Sequence, residues 1–134
     1  MNPVSEDLKN KLVTSGVGVF AAVTGWGIFI GAEPEKLNTT ITLYDTGGPK
    51  PDTVQNRSIS PLRREGIQVR VRGTAYKTAY AKIEAIVNII VGYGKFTVTT
   101  VKYKGLFRTS DILFLEQDDT DHYIWVVNFQ AVRE

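Results

Sequence analysis

Two hydrophobic periods stand back to back in the middle of this chain. From Gly66 to Gly73, Ile67, Val69 and Val71 alternate with Gln68, Arg70 and Arg72. Strict alternation is the mark of a strand with one buried face. Directly after it, Tyr76, Tyr80, Ile83, Val87 and Ile90 step alternately by four and three, with Ala75, Ala79 and Ile86 widening the stripe. That spacing predicts an amphipathic helix over about Thr74–Val91, with Lys77, Lys82 and Glu84 outside its apolar face. A one-faced strand that runs straight into a one-faced helix must form layers in which each buries the other.

The flanking segments extend this pattern. Ser5 is placed to cap a helix to about Ser15, with Glu6 and Asp7 in its first turn and Val4, Leu8 and Leu12 on one stripe. Val17 to Gly27 is glycine-rich and shows no period. Ile28–Ile30 and Thr39–Tyr44 read as strands, the second stopped by Asp45-Thr46-Gly47-Gly48-Pro49. Phe96–Tyr103, Ile112–Leu115 and Tyr123–Val132 read as three more. The last is apolar on both faces, as a central strand is. Glu116–Asp121 joins the last two as a tight polar hairpin. The expected fold is α+β: a mostly antiparallel sheet of about five to six strands with two helices packed on it. With 134 residues the chain reads as one domain, 1–134.

Between Thr46 and Glu65 the chain carries Pro49, Pro51 and Pro61 and few core formers. A loop of this length is usually functional or disordered. It is either an idle surface loop or an arm that orders against a partner. The arm is favoured because its far end feeds directly into a strand.

Several chemistries are excluded. Cysteine is absent, which removes disulfides, zinc thiolates and cysteine nucleophiles. His122 is the only histidine, so paired-histidine metal sites are out. The formal net charge of +2 is too small for a binder that works by phosphate neutralisation. Leu12 to Ala32 carries no charge, but its glycines make it a poor spanning helix, and no basic signal start precedes it. No membrane association is expected, and the sequons at Asn38 and Asn56 then carry little weight. Gly16-x-Gly18-x-x-Ala21 matches a dinucleotide fingerprint only as a string, because a helix precedes it where a strand is required. Asp118, Asp119, Asp121 and His122 crowd one turn, yet the central glycine and closing glutamate of a calcium loop are missing. A solvated hairpin accounts for them. No nucleophile–base pair is evident, so neither an enzyme nor a cofactor is expected.

Arg57, Arg63, Arg64, Arg70 and Arg72 make a basic stretch. It can contact phosphate, pair with carboxylates of a neighbouring protein, or simply be solvated. Tyr76 and Tyr80 sit at helical spacing and read as core rather than as a base-stacking platform.

Three runs carry a family resemblance. They are Ile41-Thr42-Leu43-Tyr44-Asp45-Thr46-Gly47-Gly48; Gln68-Val69-Arg70-Val71-Arg72-Gly73 followed by Tyr76, Ala79, Tyr80 and Ala81; and Ile112 to Glu116 with Asp118, Asp119 and Trp125 to Phe129. Their order and spacing, from about Asp7 to Val132, resemble the minor capsid and tail terminator proteins of tailed bacteriophages. Glu116-Gln117 departs from the pattern, where a small residue is expected before the aspartate. The resemblance implies a virion structural protein at the head-proximal end of the tail, assembled in the host cytoplasm. It implies a self-assembled ring, typically a hexamer, that stops tube growth and meets the tail tube protein on one side and the head–tail connector or neck protein on the other. DNA would at most pass through its lumen. Arg63, Arg64, Arg70 and Arg72, with Asp118, Asp119 and Asp121, are then the candidate interface residues. A head-completion or neck protein on the portal side, or a nucleic-acid-binding module, are the alternatives.

Overall fold

The computed structural model describes residues 1–48 and 62–134. Most of the expected arm, with Pro49, Pro51, Asn56, Arg57 and Pro61, lies outside the described residues. Its two ends are strand. In chain order the elements are α1 (Val4–Thr14), β1 (Val19–Phe20), β2 (Gly27–Ile30), β3 (Thr40–Gly47), β4 (Arg63–Gly73), α2 (Tyr76–Tyr93), β5 (Phe96–Val98), β6 (Val101–Arg108), β7 (Leu113–Gln117) and β8 (Tyr123–Arg133).

The class is α+β, but the sheet is larger than expected and mixed. Among the described residues it has eight strands in the order β1-β2-β3-β4-β8-β6-β5, with β7 also paired to β8. The pairs β1–β2 and β2–β3 are parallel and the others antiparallel. Two causes enlarge it. The two residues of β1 are too few to show alternation. The single strand expected over Phe96–Tyr103 is instead a hairpin, β5–β6, that turns at Thr99 in the left-handed region (φ 56°) with no glycine or asparagine to announce it. The parallel pairing follows from the β2–β3 connection. Gly31 (φ 77°) gives its N–H to Leu43 O, and residues 32–39 bring the chain back so that Thr40 starts beside Gly27.

One face of the sheet is apolar across its strands. Ile28, Ile41, Val71, Trp125 and Phe114 lie in one row of register, and Leu43, Val69 and Val127 in another. Both helices pack here, α1 through Val4, Leu8 and Leu12 and α2 through Ala79, Ile83, Ile86, Val87 and Ile90, in one continuous core. Full burial of each large aliphatic side chain is worth about 1.5–3 kcal/mol. The strand-to-helix turn is tight: a Cβ on Gly73 would stand 3.1 Å from the Ala79 Cβ. Helix starts differ from expectation by a residue or two. Pro3 precedes α1, and Ala75 rather than Thr74 precedes α2. Ser5 does not cap. Its N–H and hydroxyl both go to the Asp45 carboxylate, at 3.0 and 2.5 Å, which ties α1 to β3.

β8 is central, as its two apolar faces require. β4 pairs along its whole length, while β6 takes Phe129–Arg133 and β7 takes Tyr123–Val126 of its other side. The corner between β6 and β7 is bridged by two bonds, Thr109 N–H to Asn128 O at 2.9 Å and Asn128 N–H to Ser110 Oγ at 2.9 Å. Replacing Ser110 with Ala strands the Asn128 N–H at a cost of about 1–2 kcal/mol. Urea unfolding should show that loss, with faster hydrogen exchange at Asn128. Exchange unchanged there would mean that the hydroxyl does not hold the corner.

Candidate functional site

The face of the sheet away from the helices carries the arginine strand. Alternation puts Arg64, Arg70 and Arg72 on that face and Arg63 on the other, so the basic stretch is not one patch. Arg70 and Arg72 converge on one carboxylate. Arg70 Nη1 lies 3.4 Å from Glu33 Oε2, and Arg72 Nε 3.7 Å from Glu33 Oε1. Arg70 also lies over the Tyr44 ring, 5.4 Å from its centroid. Arg72 Nη2 donates to Leu37 O at 2.6 Å and to Pro34 O. Arg72 is only 4% exposed, so its fork is committed to its own chain and clamps the 31–39 connection onto the sheet.

Arg63 and Arg64 lie at the far end of β4, opposite Arg133 and Val132 of β8. Arg63 pairs with Glu65 at 3.1 Å. Arg64 is half-buried and engaged. Beside them is a network that the sequence did not disclose. Arg133 grips Glu65 with two parallel bonds of 3.0 Å. It also donates to Asn2 O at 2.7 Å and to the Tyr103 hydroxyl at 3.0 Å, and it meets Asp7 at 3.4 Å. Tyr103 donates its hydroxyl to Asp7. Burial pushes the Tyr103 hydroxyl well above its ordinary value of 10.0, and the Asp7 carboxylate that accepts its proton adds to the shift. These residues come from α1 and the segment before it, β4, β6 and β8 and lie up to 131 positions apart, so no local pattern marks them.

The acidic hairpin lies at the other end of β8. Asp118 accepts from His122 N–H at 2.8 Å, Thr120 N–H at 3.0 Å and the Thr120 hydroxyl at 2.9 Å. What burial it has raises the Asp118 carboxyl, but the His122 and Thr120 donors outweigh this and hold it below its ordinary value. His122 is buried, with Nδ1 against the Thr120 hydroxyl at 2.6 Å and Nε2 against Asn38 Oδ1 at 3.0 Å. The imidazole is thus a fastener between the hairpin and the 31–39 connection. Asp119 and Asp121 are exposed, and Asp121 accepts from Gln117 at 3.2 Å.

The expected residues therefore occupy three levels of the molecule. Arg63 and Arg64 stand at one end of the strands, Arg70 and Arg72 toward the other, opposite Val126 and Ile124, and Asp118, Asp119 and Asp121 in the hairpin beyond that second end. The 31–39 connection links Arg70 and Arg72 to the acidic hairpin. Tyr76 and Tyr80 are more exposed than core residues. They form an aromatic cluster with Trp125, which also contacts Phe114; Tyr76–Trp125 and Tyr80–Trp125 centroids are 4.9 Å apart. Among the described residues no group of three or more His, Asp or Glu side chains is placed to hold a metal ion, and no helix is long and apolar enough to cross a membrane.

Comparison with known proteins then bears on this arrangement. A family model described as "Bacteriophage tail terminator protein" matches residues 9–134. Among solved structures, 15 chains match. One, from the "Virion of native gene transfer agent (GTA) particle", superposes with a TM-score of 0.68 at 18% identity, covering 98% of this chain and 95% of that one. At that identity the likeness speaks for the shared fold. Comparison with curated proteins gives no match. The family is one of phage structural proteins, not one known for enzymes. The chain belongs to the bacteriophage tail terminator family and is a tail-completing structural protein of the virion.

Proposed function

We propose that copies of this protein assemble head to tail into a ring, the hexamer that the family resemblance implies, on the head-proximal end of the tail tube. There the ring halts tube polymerisation and offers its other face to the head–tail connector or neck protein, with DNA at most passing through the lumen. One observation carries this reading: the two ends of the strand axis are chemically unlike. From Thr109 to Val132 there is no lysine or arginine, and Glu116, Asp118, Asp119 and Asp121 gather at the Tyr123 end of β8, where the nearby Arg70 and Arg72 are already engaged with Glu33. The Arg133 end gathers Arg63, Arg64, Lys95, Lys102 and Lys104. β8 separates them by about 35 Å at 3.4 Å per residue. A ring held between two different neighbours needs two different faces, and a heterologous interface that closes on itself supplies the ring.

Light scattering with and without purified tail tubes tests the proposal. A ring in solution, or a monomer depleted only by tubes, is the expected result. Reversal of the exposed Asp119 to lysine should weaken docking at one face of the ring and leave the other intact. A monomer indifferent to tubes overturns the reading. Binding to portals alone moves the protein to the neck. A steeply salt-dependent shift with DNA alone moves it to nucleic acid.

A further inference from the structure

Building on the ring reading, we infer that neighbouring copies join by strand addition, β7 of one copy lying against the open β1–β2 edge of the next. The register places these two edges at opposite ends of one row of strands. Phe20, Ile28, Ile41, Val71, Trp125 and Phe114 run across the row, one from each of β1, β2, β3, β4, β8 and β7. Both edges therefore stand at the same level along the strand axis, and a neighbour set against one continues the sheet rather than stepping off it. Polarity also agrees. β1, β2 and β3 run together, and β7 runs opposite to β8 and with β4. A β7 strand meeting β1 is thus antiparallel to it.

Among the described residues both edges are open, and both are greasy. On β1, the N–H groups of Val19 and Ala21 are taken by Trp26 O and Ile28 O, so strand alternation turns the Phe20 N–H outward. Phe20 is 51% exposed, and Val19 and Val23 beside it are more so. Among the described residues β7 has a partner on one side only, and its Leu113 and Leu115 are 60% and 42% exposed. An open apolar strand edge is a template for pairing with another chain.

The charges select a second copy as the occupant. From Leu12 to Ala32 the β1 edge carries no charge of its own. Its nearest charges are Lys9, which sits over the Phe20 ring and pairs with Glu6, and Lys82, which donates to Val17 O. The β7 edge is bordered by Asp111, Glu116 and Asp118. The two surfaces are unlike and complementary, which makes the contact heterologous rather than two-fold and lets it close into a ring. The brevity of β1 keeps the contact weak in free solution, so the tube acts as the template on which it accumulates.

The chain has no cysteine, which makes the test clean. Phe20→Cys and Leu115→Cys are prepared singly and together, bound to purified tail tubes, and treated with a short bis-maleimide that tolerates a slip of register. Mixed single variants should give one covalent dimer, each variant alone should give none, and the double variant should give a ladder ending in a closed ring. Leu115→Lys should weaken ring formation on tubes about tenfold, the effect of one buried contact worth 1.4 kcal/mol, while Val91→Lys, exposed on α2, leaves it unchanged. Rings on tubes without the mixed dimer overturn strand addition and spare the ring reading. Phe20→Cys coupling to itself also overturns it, because that contact is two-fold. No rings on tubes at all overturn the ring reading, and strand addition with it.

Discussion

Arg133→Met is expected to destabilise the protein by about 3–5 kcal/mol, the cost of removing one partner from a buried ion pair. Arg133 is 2% exposed and serves two carboxylates, Glu65 and the equally buried Asp7, as well as the Asn2 carbonyl. Without the guanidinium those carboxylates keep their desolvation and lose their counter-charge. The loss falls on the docking of α1, because Asn2 and Asp7 are its links to the end of β8. Denaturant unfolding at neutral pH measures the total, and hydrogen exchange along α1 locates it. A loss no larger than that of an exposed arginine would show that α1 is held by its apolar stripe alone. Tyr103→Phe provides the companion test, with a cost of about 1 kcal/mol for one hydrogen bond. The folded hydroxyl titrates well above 10.0. Its contribution is therefore complete below the unfolded value and is lost as pH climbs through the folded one. The wild type should lose stability on the alkaline side of pH 10, and Tyr103→Phe should flatten that limb.

Arg72→Met is expected to cost about 1–3 kcal/mol, because it leaves two part-buried carbonyls without a donor. Pro34 O and Leu37 O each lose the Nη2 bond, and Glu33 is left with Arg70. The effect travels further than the clamp. Asn38 adjoins Leu37 and holds His122 of the acidic hairpin, so freeing the connection should loosen the turn at Asp118–Asp121. Faster exchange of the Thr120 and His122 amides in Arg72→Met reports this. Arg72→Lys should recover only part of the loss, since an ammonium group does not present the planar fork of a guanidinium. If Arg70→Met costs as much as Arg72→Met, the Glu33 pair rather than the carbonyl clamp carries the connection.

Much of the frame was legible because it is locally encoded. The period of two in β4 and the 3.6 period of α2 need no distant partner to be seen. The double-faced apolar run of β8 announces a strand with neighbours on both sides, and the β7–β8 turn follows from its polar residues. What was missed depends on contacts between distant segments. β1 has two residues and gains strand geometry only by lying on β2. The parallel β2–β3 pairing depends on a connection clamped by Arg72, far along the chain. The turn at Thr99 uses a left-handed threonine, which propensity disfavours. The candidate residues show the same division. Five arginines close in sequence read as one basic stretch, but strand alternation and the length of β4 divide Arg63, Arg64, Arg70 and Arg72 between two faces and two levels. The Arg133 network joins residues whose only common property is where the fold ends.

The full-length pairing of β4 with β8 has a mechanical consequence for a protein that completes a tail. Both strands are 11 residues long and pair from end to end, Arg63 against Arg133 and Gly73 against Tyr123. If the chemically unlike ends face the tube and the head, a pull between head and tail runs along these strands. The hydrogen bonds of an antiparallel ladder lie perpendicular to the strands, so such a pull loads them together in shear instead of peeling them one after another. The central ladder would then resist tension as a lap joint, and yielding would begin away from it, at the edge of the sheet, where the two-residue strand β1 gives the shortest overlap.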